Sequence, residues 1–175
     1  MNIFLIGYRC SGKTITGQTI AAILKRPFVD TDFNVVEEEG MTISQIVDKK
    51  GWDYFRQKEK AVLKNVCNHD QQVVATGGGI VLSKENTAYL KKNGTVVWLT
   101  ATFETVKERM LNDSKTKDFR PFLTTEERHE EIQQTLLNRK PYYQKAMDFS
   151  IDTDELDING VCHAIIAKLE LKNRL

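Results

Sequence analysis

The sequence predicts an α/β fold, a parallel sheet with helices on both faces, and two patterns predict it. Short apolar runs rich in β-branched and aromatic residues recur along the chain, each hydrophobic on both sides, as strands covered on two faces must be. Between them lie segments with helical spacing, and strand alternating with helix requires crossover connections, hence parallel pairing. A length of 175 residues with 41% hydrophobic content suits one domain over 1–175 with a sizeable core.

Strands are expected at Ile3 to Ile6, Phe28 to Val29, Val73 to Ala75, Val96 to Leu99 and Phe149 to Ile151. The first helix is expected from Lys13 to about Leu24, with Ile15, Ile20, Ile23 and Leu24 as its apolar residues. Thr42-Ile43-Ser44-Gln45 has the capping-box pattern and opens a second helix that ends near Gly51. A third runs from about Tyr54 to Val66, a fourth follows the N-cap candidate Ser83, and a fifth covers about Thr102 to Leu111. A long charged helix begins at another capping-box pattern, Thr124-Thr125-Glu126-Glu127, and a last one spans about Ile158 to Leu171. The polar stretch from Asn112 to Leu123 has no steady period, and a loop of that length is uncommon unless it is a lid or binding loop. Its cations Lys115, Lys117 and Arg120 suit an anion-covering flap, and a solvated loop is the alternative.

The 25 Lys plus Arg against 24 Asp plus Glu leave a net charge of +1, which excludes a broad basic field for nucleic acid or acidic membranes. Any bound anion must be held by locally placed groups. There is no run of 18 apolar residues, and the first residues lack the basic start and cleavage site of a secretory signal, so a cytoplasmic protein is expected. Cys10, Cys67 and Cys162 form no CxxC pair and suit reduced thiols. His69, His129 and His163 show no metal-ligand spacing and are read as surface or packing residues.

Gly7-Tyr8-Arg9-Cys10-Ser11-Gly12-Lys13-Thr14 matches G-x-x-x-x-G-K-[ST] after a strand and before a helix, the context that a phosphate-binding loop requires. The glycines let backbone wrap an anion, successive N–H groups and the helix N-terminus point at it, Lys13 adds a positive charge, and the Thr14 hydroxyl can ligate Mg²⁺. Cys10 is open to two readings, a loop filler or a thiol activated by the helix N-terminus, of which the filler is preferred.

The acceptor side is read from the other strand ends. Asp30 and Asp32 follow a short strand, and alternation makes them point the same way into the crevice at the sheet's carboxyl edge, with a turn or helix cap as the alternative reading of the pair. One can reach Mg²⁺ through water while the other orients an acceptor hydroxyl and takes its proton. Gly77-Gly78-Gly79 after the Val73 strand implies close approach by a ligand, with a tight turn as the alternative. Arg56, with Glu59 three residues on to fix its rotamer, and Arg139, expected to interrupt a helix ahead of Pro141, can bind carboxylate or phosphate in two-pronged geometry.

Together these pieces resemble the shikimate kinases, small P-loop kinases, over Ile3 to about Asp152, most specifically at Gly7 to Thr14, Asp30-Thr31-Asp32, Gly51-Trp52, Phe55-Arg56 with Glu59, Gly77 to Gly79, Arg120-Pro121 and Arg139. The resemblance implies a three-layer P-loop kinase fold with a five-stranded parallel sheet, a substrate-binding region near 32–60 and a lid near 112–124. It implies transfer of the ATP γ-phosphoryl to the 3-hydroxyl of shikimate, with Mg²⁺. A monomer is expected, although nothing in the sequence itself reveals the oligomeric state. Gly7, Cys10, Ser11, Gly12, Lys13, Thr14 and Ile15 would hold the nucleotide, and Thr14 and Asp30 the metal. Asp32 would be the proton acceptor. Arg56 and Arg139 would pair with the carboxylate, with Gly77, Gly78 and Gly79 against the ring hydroxyls. Lys13 and Arg120 would act on the transferring phosphoryl and Arg109 would lie against adenine. Members commonly carry Gly where this chain has Cys10, and no adenine-contacting residue is assigned after Ile151. The alternatives are another small-molecule kinase, of gluconate or nucleoside monophosphate type, or a nucleotide-binding module without catalysis.

Overall fold

Five strands, β1 (Asn2–Ile6), β2 (Phe28–Asp30), β3 (Val73–Ala75), β4 (Gly94–Thr100) and β5 (Phe149–Asp152), form one sheet in the order β2-β3-β1-β4-β5. The structure is a computed structural model that describes residues 1–112 and 125–172, and for 125–128 the backbone alone. Every pairing is parallel, with Phe4 opposite Val74 on one side and Val96 on the other.

Alternation along β1 explains the layering. Ile3 and Leu5 face α1 (Lys13–Leu24) and α7 (Ile158–Lys172), packing with Ile20, Ala21, Val161, Cys162 and Ile165. Phe4 and Ile6 face the opposite layer, built from α2 (Thr31–Glu39), α3 (Ile43–Val66), α4 (Lys84–Asn93) and α6 (Thr125–Ala146). A smaller cluster of Tyr8, Val106 and Ile132 packs α5 (Phe103–Asn112) and α6 beside the end of β1. The strand order reverses at β1, so the crevice at the sheet's carboxyl edge opens over the loop that follows it.

Local signals set most of the boundaries. Both hydrogen bonds of the Thr42–Gln45 capping box form, at 2.9 and 3.2 Å, and the Ser83 hydroxyl caps α4. Gly51, with φ 82° and ψ 167°, kinks α3 and divides it into two helical pieces where the sequence expects one helix to end.

Three expectations are corrected. Residues after Asp30 do not continue as strand: Asp30 caps α2, so Asp32 lies in the first helical turn and alternation does not relate the two carboxylates. Besides Lys13 at its start, the buried residues of α1 are Thr16, Gly17, Ile20 and Ala21, while Ile15 and Ile23 are about half exposed, because small residues let α1 lie close on the sheet. Finally, α6 does not stop at Pro141. It runs to Ala146, since the buried Tyr143 and Ala146 hold the turn that the missing proline N–H weakens.

Candidate active site

The loop between β1 and α1 takes backbone conformations that favour glycine at Gly7 (φ 148°), Gly12 (φ 89°) and also Cys10 (φ 60°). A non-glycine residue in this region costs about 1–2 kcal/mol, so glycine would fit position 10 with less strain than Cys10 does. No side chain caps α1, so its first N–H groups are available to an anion. The buried Ser11 hydroxyl has no hydrogen-bond partner among the described residues, and the Lys13 ammonium donates to the Tyr8 carbonyl at 2.6 Å, folded back over the loop.

Thr14 and Asp30 meet as a pair. The Thr14 hydroxyl donates to Asp30 Oδ2 at 2.8 Å, while Asp30 Oδ1 accepts from the N–H groups of Asp32 and Phe33. One carboxylate therefore both starts α2 and fixes the hydroxyl at the head of α1. A hydroxyl beside a carboxylate is the hard-oxygen donor set that suits Mg²⁺.

The three glycines after β3 each yield space to a different group. A β-carbon on Gly77 would fall 2.5 Å from Asp32 Oδ1 and 2.6 Å from Glu59 Oε1, so both carboxylates stand over it. One on Gly78 would lie 3.4 Å from the Gly7 carbonyl oxygen and 3.5 Å from the Arg9 nitrogen, against the phosphate loop. One on Gly79 would run into the Arg56 guanidinium. The Thr31 hydroxyl accepts from Gly77 N–H at 3.1 Å and ties this turn to α2.

Arg56 is held from three sides. It donates to Glu59 Oε2 at 2.7 Å and lies over the rings of Trp52 and Phe55, at 5.4 and 5.2 Å from their centroids. Arg139 donates to the Gly78 carbonyl at 3.2 Å, and Tyr143, one turn on and stacked on Trp98, donates to the same oxygen at 2.6 Å. Arg109 donates to the carbonyls of Cys10 and Thr153 and to the Thr153 hydroxyl, joining the phosphate loop to the chain after β5. Beside it opens a cleft of about 350 Å³ lined by Thr105, Glu108, Arg109, Asn112 and Asp154.

The geometry thus sets an anion cradle at the α1 N-terminus against a turn flanked by two arginines and two carboxylates. A family model described as shikimate kinase matches residues 9–170. The chain belongs to the shikimate kinase family. A shikimate kinase of Caldanaerobacter subterraneus subsp. tengcongensis is 39% identical over 174 residues, covering 99% of both chains. The shikimate kinase of Acinetobacter baumannii, solved in complex with shikimate, is 32% identical with a TM-score of 0.90, covering 99% of this chain and 94% of that one. A gluconokinase of Sinorhizobium meliloti, at 18% identity and a TM-score of 0.55 over 96% of this chain and 92% of that one, shares the fold alone.

Within this shikimate kinase family member, Lys13, Thr14, Asp30, Asp32, Arg56, Gly77 to Gly79 and Arg139 come together, while Ile15 points outward and is about half exposed. Of the expected 112–124 lid only Asn112 is described, as the last residue of α5; Arg120 and the rest, 113–124, lie outside the described residues. Spacing alone did not single out Tyr143, although it stands four residues after Arg139 on the same helical face. Thr153 carries no sequence signal for its contact with Arg109. Arg9 falls on an x position of the G-x-x-x-x-G-K-[ST] pattern, which carries no signal for it.

Proposed function

We propose that this protein transfers the γ-phosphoryl of ATP to the 3-hydroxyl of shikimate. The hydroxyl oxygen forms a bond to the γ-phosphorus, the bond from that phosphorus to the β,γ-bridging oxygen breaks, ADP leaves with the electron pair, and the hydroxyl proton passes to Asp32. The observation that carries this reading is the Gly77–Gly79 turn, where Asp32 stands over Gly77, Arg139 beside Gly78 and Arg56 over Gly79, with Gly78 directly against the phosphate loop. That set fits a small acceptor bearing one carboxylate and several hydroxyls.

Lys13 binds the β and γ phosphates once ATP displaces the Tyr8 carbonyl from its ammonium. Gly7, Cys10, Ser11 and Gly12 present the loop backbone. Thr14 and Asp30 hold Mg²⁺, which when bound neutralises charge on the phosphate oxygens. Arg56 and Arg139 pair with the shikimate carboxylate, and Arg109 borders the adenine, beside the 350 Å³ cleft. Arg120, assigned from the family resemblance, closes with the 112–124 lid over the phosphoryl group. The reading takes the enzyme as a cytoplasmic monomer, and the near-neutral charge suits small substrates rather than a polyanion. Among the described residues no helix is long and apolar enough to cross a membrane.

An ADP-release assay with shikimate, gluconate and a nucleoside monophosphate tests the reading. Turnover with shikimate is expected, and turnover with gluconate but not shikimate would overturn it. Arg56→Ala should weaken shikimate binding by about 10–100-fold, the worth of a charge-assisted pair, with ATP affinity nearly intact.

A further inference from the structure

Arg9 is the third residue of the phosphate loop, and its surroundings are unlike those of the other site arginines. Arg56 is matched by Glu59, Arg139 by the Gly78 carbonyl, and Arg109 by Thr153 and the Cys10 carbonyl. The Arg9 guanidinium makes no hydrogen bond or ion pair with any described residue, and its Nε is closed to solvent without a partner. A guanidinium does not give up its proton, so this is a full positive charge with a desolvated donor. Leaving such a donor unmatched is unfavourable, which points to a counter-charge that arrives with a ligand.

Position says which ligand. Arg9 stands between Tyr8, whose carbonyl holds the Lys13 ammonium, and Cys10, whose carbonyl accepts from Arg109. Its own main-chain nitrogen lies 3.5 Å from where a β-carbon on Gly78 would be. Arg9 therefore sits on the seam between the phosphate loop and the acceptor turn, the line that a phosphoryl group crosses during transfer. The carboxylate end of the site already has Arg56 and Arg139, each anchored on a helix.

We propose that Arg9 is a catalytic residue that binds the equatorial oxygens of the phosphoryl group while it passes from ATP to the acceptor hydroxyl. This rests on the phosphoryl-transfer reading above. Charge spreads over those oxygens in the transition state, so a fixed cation there lowers the barrier more than it tightens either substrate.

The test uses Arg9→Met, Arg9→Lys and Arg9→Ala in the full chain. Arg9→Met should lower kcat by about 100–1000-fold, with Kd for ADP and for shikimate each within about threefold of wild type. Its affinity for ADP with Mg²⁺ and aluminium fluoride, a mimic of the planar phosphoryl, should fall in parallel with kcat. Its Tm should match or exceed wild type, because an unmatched buried donor is gone. Arg9→Lys should recover part of the rate, and guanidinium in solution should partly rescue Arg9→Ala. The proposal is overturned by an unchanged kcat, by a Tm that drops together with both affinities, or by a selective loss of shikimate affinity. Wild-type turnover of shikimate, measured first, tests the parent reading by itself. If that turnover is absent, equal affinity of wild type and Arg9→Met for the ADP–aluminium fluoride complex overturns the role of Arg9, and a selective loss supports it.

Discussion

The Arg56 guanidinium fills the space that a β-carbon on Gly79 would need, with Nη1 2.5 Å and Cζ 2.6 Å from that position. Gly79 has φ −103° and ψ 1°, so it is required for room and not for backbone freedom. Because the obstructing atoms end a flexible side chain, the fold can accommodate Gly79→Ala by swinging Arg56 off Glu59 and the two rings. Stability should change by less than about 1 kcal/mol. Shikimate Kd should rise roughly 10–100-fold with ADP binding unchanged, as calorimetry would show. An unchanged shikimate affinity would mean that Arg56 does not reach the acceptor.

Asp30 divides its oxygens between two tasks, and Asp30→Asn separates them. The amide oxygen can still accept from Asp32 and Phe33 N–H, and asparagine caps helices as well as aspartate, so stability should hold within about 0.5 kcal/mol. The negative charge beside Thr14 is lost. On the metal role proposed for Asp30, the Mg²⁺ concentration for half-maximal rate should therefore rise about 10–100-fold, the usual effect of losing a group that supports a metal through water. A melting curve and a Mg²⁺ titration check the two halves, and loss of stability without a shift in Mg²⁺ dependence would make Asp30 a cap alone.

What could be read from the sequence is what local chemistry decides. The strand runs, the Thr42 and Ser83 caps and the Gly51 break depend on neighbours within a few residues, and each stands where spacing put it. The helix from Thr31 to Glu39 escaped because Asp30 also fits a strand end, although aspartate before an acidic run and Gly40 after it are cap signals. The contact between Arg139 and the Gly78 carbonyl spans 61 positions and depends on which helix covers β3, information that no local pattern carries. Ile15 and Ile23 misled for a related reason: the apolar spacing of α1 does not say that Gly17 allows the helix to pack through its small face.

Gly51 has nothing within 4 Å of where a β-carbon would sit, so its need for glycine is wholly conformational. Its φ of 82° and ψ of 167° fall in a region that only glycine enters readily. Gly51→Ala should cost about 1–3 kcal/mol in urea denaturation. Since Gly51 fixes the angle between the Thr42 end of α3 and the turn bearing Arg56, shikimate KM should rise more than ATP KM. Equal stability would show that the kink can relax into straight helix.

Glu39 ends α2 and anchors it to α3 through three partners, Lys50 at 2.8 Å, Lys58 at 2.7 Å and the Tyr54 hydroxyl at 3.0 Å. Lys50 first, then Lys58, holds the carboxyl down from an ordinary 4.5 to about 2. A carboxyl depressed on folding stabilises the fold above its unfolded pKa and loses that contribution as pH falls through its folded one. Glu39→Gln should therefore be less stable than wild type at neutral pH by an amount that stays constant down to about 4.5, shrinks between 4.5 and 2, and closes below. Urea denaturation of both proteins across that range checks the sign, and a gap that persists unchanged at pH 2 would assign the loss to packing. Because α2 carries Asp32 and α3 carries Arg56, the same variant should bind shikimate less tightly at neutral pH while its Mg²⁺ dependence stays that of wild type, since Thr14 and Asp30 make no contact with this cluster.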